Sequence, residues 1–407
     1  MSLKATRDER ICARCLFPEC RVLVPCPVDF QEEDCAGCGA CAIACPFDAV
    51  TMIAAADRGE IRVEVDGEGA LVPENTTVKR ALEHLGVRFG KLPDGILAPC
   101  GTGGCFSCAV EIDGVVKPCC VTKVHEGARI RTRLPGDHVP RRIVGGFMGH
   151  TVGGVGTPWN LKARGVIEVA LFAAGCNFRC PQCQNWTIAC RGKESFDYRL
   201  LTPQEAAERI SGSRRKYGVD RMAISGGECT LNPPWLLAYL RALKEKNPGD
   251  ESRFHVDTNG SLLSPEYIDE LVGAGMTDVG IDLKALQAKT FMRVTGLTDE
   301  ALAGRYKENA WQAVRYISET YRDKVFLGIG IPYNERLISL EEIAAMGREI
   351  FEIDPAVQVC ALDYRPEFKR TGLPLPTFAE MREVHGVLKG TGLSTVLCQT
   401  VHGHIGP

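Results

Sequence analysis

At 407 residues, with 45% hydrophobic and 24% charged side chains, the chain is long enough for two or three domains with their own cores and too apolar for a disordered polymer. A net charge of −3 removes the electrostatic case for binding nucleic acid or an anionic membrane. No run approaches the roughly 18 apolar residues of a membrane span, and the opening MSLKATRDER lacks the apolar core of a secretory signal, so the expected location is the cytoplasm. There, 20 cysteines at short spacings read as metal ligands and not as disulfides.

The first predicted domain, residues 1–58, contains CAGCGACAIACP, in which Cys35, Cys38, Cys41 and Cys45 stand at C-x2-C-x2-C-x3-C-P. That is the bacterial ferredoxin run for a 4Fe-4S cluster, and in two-cluster ferredoxins its fourth cysteine serves the other cluster. CARCLFPECRVLVPCP supplies the second set. Cys12, Cys15 and Cys20 are therefore paired with Cys45, and Cys35, Cys38 and Cys41 with Cys26. The region resembles dicluster ferredoxins, with longer gaps after Cys15 and Cys20. A zinc site of four thiolates, Cys12 through Cys26, beside a single cluster is the alternative.

The second predicted domain, residues 59–140, contains APCGTGGCFSCAVEIDGVVKPCC. Cys100, Cys105 and Cys108 have the plant-type C-x4-C-x2-C spacing of a 2Fe-2S cluster, and the glycines let backbone amides approach the sulfurs. IRVEVDG reads as a strand, TTVKRALEHLG as a short amphipathic helix and GARIRTRL as a closing strand. The region resembles the β-grasp ferredoxin domains of succinate and xanthine dehydrogenases. In the former type eleven residues separate the third cysteine from the last, which selects Cys120 over Cys119.

Residues 141–165, RRIVGGFMGHTVGGVGTPWNLKARG, read as an irregular Gly-rich connection. From 166 to 407 strands and helices alternate, with strands at VIEVALFA (166–173), RMAIS (221–225), FHVDT (254–258), DVGIDL (278–283), VFLGIGI (325–331), VQVCALD (357–363) and STVLCQ (394–399). Thr202 and Pro203 mark the start of one intervening helix. The expected fold is α/β: a partial (β/α)6 barrel resembling a TIM barrel, whose chemistry gathers at the C-terminal strand ends. Cys176, Cys180 and Cys183 follow the first strand at C-x3-C-x2-C without a fourth ligand. Ser225-Gly226-Gly227-Glu228 ends the second strand, Asp257-Thr258-Asn259-Gly260 the third and Asp282-Leu283-Lys284 the fourth. Cys190, Cys229, Cys360 and Cys398 read as small buried residues.

CNFRCPQCQN, SGGECT, DTNG and DLK together resemble the radical S-adenosylmethionine (SAM) superfamily, and in particular pyruvate formate-lyase activating enzyme and the AmmeMemoRadiSam group. The resemblance implies that Cys176, Cys180 and Cys183 hold a 4Fe-4S cluster whose open iron takes the methionine end of SAM. Gly226 and Gly227 would admit the methionine amine, with Glu228 holding the glycine loop or that amine. Asp257 or Asn259 would bond the ribose. Asp257, Thr258 and Asp282 would hold a cation, and Lys284 would pair with the methionine carboxylate; a structural ion pair between Asp282 and Lys284 is the alternative. Gln182 stands where an aromatic residue often packs near adenine. The cofactors implied are three 4Fe-4S clusters, one 2Fe-2S cluster and SAM. The partners implied are a low-potential electron donor and a glycyl-radical enzyme, another protein or a small molecule as hydrogen source. A multi-cluster electron-transfer subunit is the competing function.

Overall fold

The computed structural model describes residues 3–15, 18–56, 59–90, 96–162 and 165–407. It divides into two compact units, one of Met1–Gly145, Ala173–Asn177 and Asn185–Thr202, the other of Gly146–Phe172, Phe178–Gln184 and Pro203–Pro407. The domain boundary expected between 58 and 59 falls at residues 57 and 58, outside the described residues, as do residues 163 and 164 of the expected connection.

In the first unit β1 (Leu3–Arg7) pairs antiparallel with β2 (Val50–Ala54), and three short helices, Glu9–Cys12, Glu19–Leu23 and Ala40–Ala44, lie between them in the chain. A five-stranded sheet follows, built from β3 (Glu60–Val65), β4 (Glu68–Pro73), β5 (Ala109–Ile112), β6 (Val115–Pro118) and β7 (Arg129–Arg131) in the order β4-β3-β7-β5-β6. Only β3 and β7 run parallel. The helix Val78–His84 starts at Thr77, whose hydroxyl accepts from the Arg80 amide at 3.3 Å, and it buries Val78, Ala81 and Leu82, one face of a 3.6-residue period.

The Gly-rich stretch is not the irregular connection expected: Arg142–His150 is a strand, β8. Its start pairs antiparallel with β10 (Tyr198–Leu201), from Arg142 opposite Leu201 to Gly145 opposite Tyr198. A Cβ on Gly145 would stand 2.3 Å from the Asp197 carbonyl oxygen and 2.7 Å from the Tyr198 ring. Glycine here permits close backbone approach within a ladder, a use that composition alone does not distinguish from a turn.

The second unit carries the strand order β8-β9-β11-β12-β13-β14-β15-β16-β17. Its members are β9 (Glu168–Ala173), β11 (Arg221–Gly226), β12 (Arg253–Thr258), β13 (Asp278–Asp282), β14 (Phe326–Tyr333), β15 (Gln358–Asp363), β16 (Thr395–Thr400) and β17 (Gly403–Ile405). From β11 to β16 all pairs are parallel, and β17 turns back antiparallel. Each of the seven expected strands has its counterpart, and the expected helix begins at Pro203. The crossover helices have side-chain caps at Asn232, Ser264, Asp299, Ser339 and Thr377. Their apolar stripes, including Leu236, Ile268, Val314 and Ile343, are fully buried with the sheet residues Val256, Val279 and Val359. Among the described residues no helix is long and apolar enough to cross a membrane.

Residues after β8 thread against the inner surface of this sheet. A Cβ on Gly154 would meet the Asp257 carboxylate at 1.8 Å, and one on Gly156 would meet the Gly280 amide and His255 Nε2 at 2.5 Å. Val155 packs into an apolar cluster with Cys360, Leu397 and Leu362, while Gln358 Nε2 donates to the carbonyls of Val155 and Thr157 at 3.1 and 2.9 Å. The glycines are where the segment has no room for side chains.

Candidate functional site

In the first block, neighbouring charges link Cys20 with Cys45 and Cys12, Cys38 with Cys26 and Cys35, and Cys41 with Cys38, Cys35 and Cys20. The Cys20 thiol is raised by burial, with Cys45 and Cys12 as neighbouring charges. Cys38 is pushed up to about 11 by burial, with Cys26 and Cys35 adding to it, and Cys41 to about 12 by burial, with Cys38 and Cys35 among its neighbours. Backbone amides already point at the sulfurs: Phe30 N–H donates to Cys26 Sγ at 3.2 Å, Ala5 and Gly37 N–H to Cys35 Sγ at 3.4 Å, and Ala49 N–H to Cys45 Sγ at 3.3 Å. Amide donors on sulfur are what a thiolate-held cluster needs. Cys12 and Cys15 are half-buried on the first helix and just beyond it. Among the described residues no three His, Cys, Asp or Glu side chains are arranged to hold a metal ion.

Cys100, Cys105, Cys108 and Cys120 are all buried, with Cys100 against Cys105 and Cys120, and Cys120 also against Cys108. Cys105 Sγ lies 3.2 Å from Cys100 Sγ, and Ser107 donates to Cys105 Sγ at 3.4 Å. Cys100 is held well below the ordinary thiol range by hydrogen bonds from Cys105 and Cys120, and Cys108 by hydrogen bonds from Cys119 and Cys120. Cys120 reaches both Cys100 and Cys108; Cys119 reaches Cys108 alone. The donor set fits a 2Fe-2S cluster, and it also has a buried cation that the sequence reading missed. Arg142 is fully buried, its charge favours the Cys105 thiolate, and its Nη2 donates to the Ala174 carbonyl at 3.1 Å.

The three-cysteine loop begins in the first unit with Cys176 and continues in the second with Cys180 and Cys183. In the second unit the loop is fixed from several sides. Arg179 N–H donates to the Thr295 carbonyl at 2.8 Å, and the Lys369 and Arg370 amides donate to the Pro181 carbonyl at 2.9 and 3.1 Å. Gln182 is buried: its Nε2 donates to the Val294 carbonyl at 2.8 Å and its Oε1 accepts from Arg370 at 3.0 Å. Cys180 is raised by burial, opposed by the positive charge of Lys284. Lys284 Nζ donates to Asp282 Oδ2 at 2.8 Å and to Tyr364 Oη at 2.7 Å. Burial works against its charge, but Asp282, Tyr364 and Cys180 outweigh burial and hold Lys284 protonated. The ion pair left open by the sequence is thus formed, and Tyr364, beyond the end of β15, is a member that no motif announced.

Glu228 is fully buried and accepts hydrogen bonds on both carboxylate oxygens. Its Oε1 accepts from the Thr230 amide at 3.0 Å and from the Thr230 and Thr258 hydroxyls at 2.6 Å, and its Oε2 accepts from the Asn259 amide at 2.7 Å. It ties the end of β11 to the end of β12. Gly226 takes φ +118°, a conformation that favours glycine. Asn259 Oδ1 accepts from the Ser261 amide at 3.0 Å, which is turn chemistry. Asp257 bonds His255 Nε2 at 3.0 Å. The shared cation site expected of Asp257, Thr258 and Asp282 is not assembled: each has a different protein partner, His255, Glu228 and Lys284 respectively.

Asp257 belongs instead to a buried charge network. Glu168 accepts from Thr157 at 3.1 Å and lies 3.2 Å from both His150 Nδ1 and His255 Nδ1. Arg221 bonds Asp278 at 3.0 Å and the Gly156 carbonyl at 3.2 Å. Burial opposes the Glu168 charge, but His150, His255 and Arg221 hold its carboxyl far below the usual range. Burial also works to lower His255, yet Asp257 and Glu168 raise it to about 10.

Comparison with known proteins finds three family matches, none of which covers Cys12, Cys15, Cys20 or Cys26. Residues 171–347 match the radical SAM superfamily, 58–135 a 2Fe-2S iron-sulfur cluster binding domain and 28–51 a 4Fe-4S binding domain. A protein of Methanocaldococcus jannaschii named as a glycyl-radical enzyme activating enzyme is 27% identical over 240 residues, 58% of this chain and 90% of that one. A protein of Methanococcus aeolicus named as a GTP 3',8-cyclase is 32% identical over 123 residues, 30% of this chain and 38% of that one. The crystal structure of Streptococcus suis SuiB bound to S-adenosylmethionine aligns with TM-score 0.39 at 18% identity, covering 55% of this chain and 43% of that one.

Proposed function

We propose that this chain, a radical SAM protein with N-terminal 2Fe-2S and 4Fe-4S ferredoxin domains, reductively cleaves SAM to a 5'-deoxyadenosyl radical that abstracts a hydrogen atom, with electrons supplied through its own ferredoxin sites. The observation that carries this reading is the charged Lys284 beside Cys180, at the strand ends where a methionine carboxylate would be received. Cys176, Cys180 and Cys183 would hold a 4Fe-4S cluster, which when bound supplies a low-potential electron and an open iron for the methionine end of SAM. Asp282 and Tyr364 orient the Lys284 ammonium, a donor for the carboxylate. Glu228 positions the 257–259 turn, and Gly226 leaves its strand end free of a side chain.

Cys12, Cys15, Cys20 and Cys45, and Cys26, Cys35, Cys38 and Cys41, would hold two further 4Fe-4S clusters, and Cys100, Cys105, Cys108 and Cys120 the 2Fe-2S cluster. Likeness to a protein named as a glycyl-radical enzyme activating enzyme across 90% of its length favours a glycine of a partner protein as the hydrogen source. The 32% identity to a named GTP 3',8-cyclase, confined to 123 residues, favours a small molecule as the second reading. A low-potential protein donor would feed the clusters. The test is anaerobic incubation with dithionite and SAM: 5'-deoxyadenosine is expected, and its absence from protein with a full iron complement refutes the proposal. Full loading gives about fourteen irons per chain. About ten irons with about one zinc would instead assign Cys12 through Cys26 to zinc.

A further inference from the structure

Three sets of contacts within the first unit join the cysteine sites to one another. A Cβ on Gly175, the residue before Cys176, would stand 3.0 Å from the Cys105 amide nitrogen, 3.1 Å from Cys100 Cβ and 3.4 Å from Cys100 Sγ. The loop that delivers Cys176 therefore lies directly on two cysteines of the 2Fe-2S site. Arg142 makes a second bridge, from the neighbourhood of Cys105 to the Ala174 carbonyl at 3.1 Å. Pro25, next to Cys26, lies 3.6 Å from a Cβ built on Gly103, and a Cβ on Gly192 would touch both the Thr102 carbonyl and Pro25 Cδ. The Gly192 and Lys193 amides fasten this seam by donating to the Leu23 carbonyl at 2.8 and 3.0 Å.

We infer that the 2Fe-2S centre is the middle station of the electron path, between the 4Fe-4S cluster that uses Cys26 and the radical-site cluster that uses Cys176, with Gly175 and Arg142 forming its exit. This rests on the cluster assignments proposed above. With the clusters bound, each transfer would move one electron, lost by the 2Fe-2S centre and gained by the radical-site cluster, and a low-potential one-electron protein donor would restore it by way of the 4Fe-4S cluster. The absence of a side chain at Gly175 is what lets cysteine and loop backbone meet. Arg142 is a positioning residue: its buried positive charge favours the more negative, reduced form of the centre and holds the Ala174 carbonyl in place.

The test uses the full chain, reconstituted anaerobically with iron and sulfide. The electron paramagnetic resonance signal of the reduced 2Fe-2S centre is followed against microwave power in the wild type and in a Cys176→Ala, Cys180→Ala, Cys183→Ala variant. A fast-relaxing or split component is expected in the wild type and a weaker one in the variant, where only the Cys26-side 4Fe-4S cluster remains as neighbour; identical saturation curves overturn the adjacency. If that variant fails to take up the 2Fe-2S cluster, the S-adenosylhomocysteine comparison in the wild type decides. Once S-adenosylhomocysteine has shifted the radical-site signal, the splitting on the 2Fe-2S signal must change, and an unchanged splitting overturns the order. Arg142→Gln is expected to move the 2Fe-2S midpoint potential to more negative values; an unmoved potential removes Arg142 from the bridge. Spin coupling without 5'-deoxyadenosine leaves the order standing while the proposed reaction fails, and 5'-deoxyadenosine without coupling does the reverse.

Discussion

Replacing Glu228 by Gln separates a residue that ties strand ends together from one that touches the cofactor amine. The wild-type carboxylate accepts on both oxygens, from the Thr230 amide at 3.0 Å and from the Asn259 amide at 2.7 Å, with two hydroxyls at 2.6 Å. The amides can only donate, and a Gln side chain has one neutral oxygen, so whichever way the new amide turns, both backbone N–H groups lose a charged acceptor and one of them is left facing the NH2 in a fully buried site. A hydrogen bond to a charged group contributes about 1.5–3 kcal/mol. At about 1.4 kcal/mol per tenfold, that is roughly a ten- to hundredfold change in local opening. Native-state hydrogen exchange reads it directly: the amides of 257–261 should lose protection by that factor in Glu228→Gln, with residues of β3 and β4 unaffected. If SAM affinity falls while exchange at 257–261 stays at the wild-type rate, the strand-tying role is wrong and Glu228 acts on the cofactor itself.

Changing Cys176, Cys180 and Cys183 to Ala should abolish SAM cleavage measured as 5'-deoxyadenosine while the 2Fe-2S absorption persists, because the two sets of ligands are separate; cleavage that survives would place the site elsewhere. His255 is raised from an unfolded value of about 6.5 to about 10, so the stability it contributes is fully present below about pH 6.5 and is lost as pH rises through 10. Denaturant titrations should therefore show the wild type weakening between pH 7 and 10, with a shallower slope in His255→Gln; parallel slopes would refute the assignment. A chain truncated to begin at residue 141 should aggregate on expression. It lacks the Gly104 carbonyl that accepts from Ile143 and the Leu23 carbonyl that accepts from Gly192 and Lys193, and it bares apolar surface. A soluble, monomeric product by size-exclusion chromatography would show that these contacts are dispensable.

The sequence by itself determined what is local in the chain. Cysteine spacings identify the cluster-type runs because ligands a few residues apart can reach one group without help from the rest of the fold. The period-2 and buried apolar runs from Val166 onward give the seven strands, and the capping residues give helix starts, because both report on neighbours along the chain. Tertiary structure decided what depends on distant partners. Glycines at 145, 154 and 156 read as loop composition, yet they mark a strand and an inserted segment, since what excludes a side chain there is a backbone or carboxylate from far along the sequence. Glu228 and Asp257 were visible as motif members, but their partners were not, and neither Arg142, Tyr364 nor the Glu168–His255 pair stands in any motif. A buried charged or polar group takes its role from whichever complementary group folding brings within about 3 Å, and that pairing is fixed by the packing of whole strands and helices.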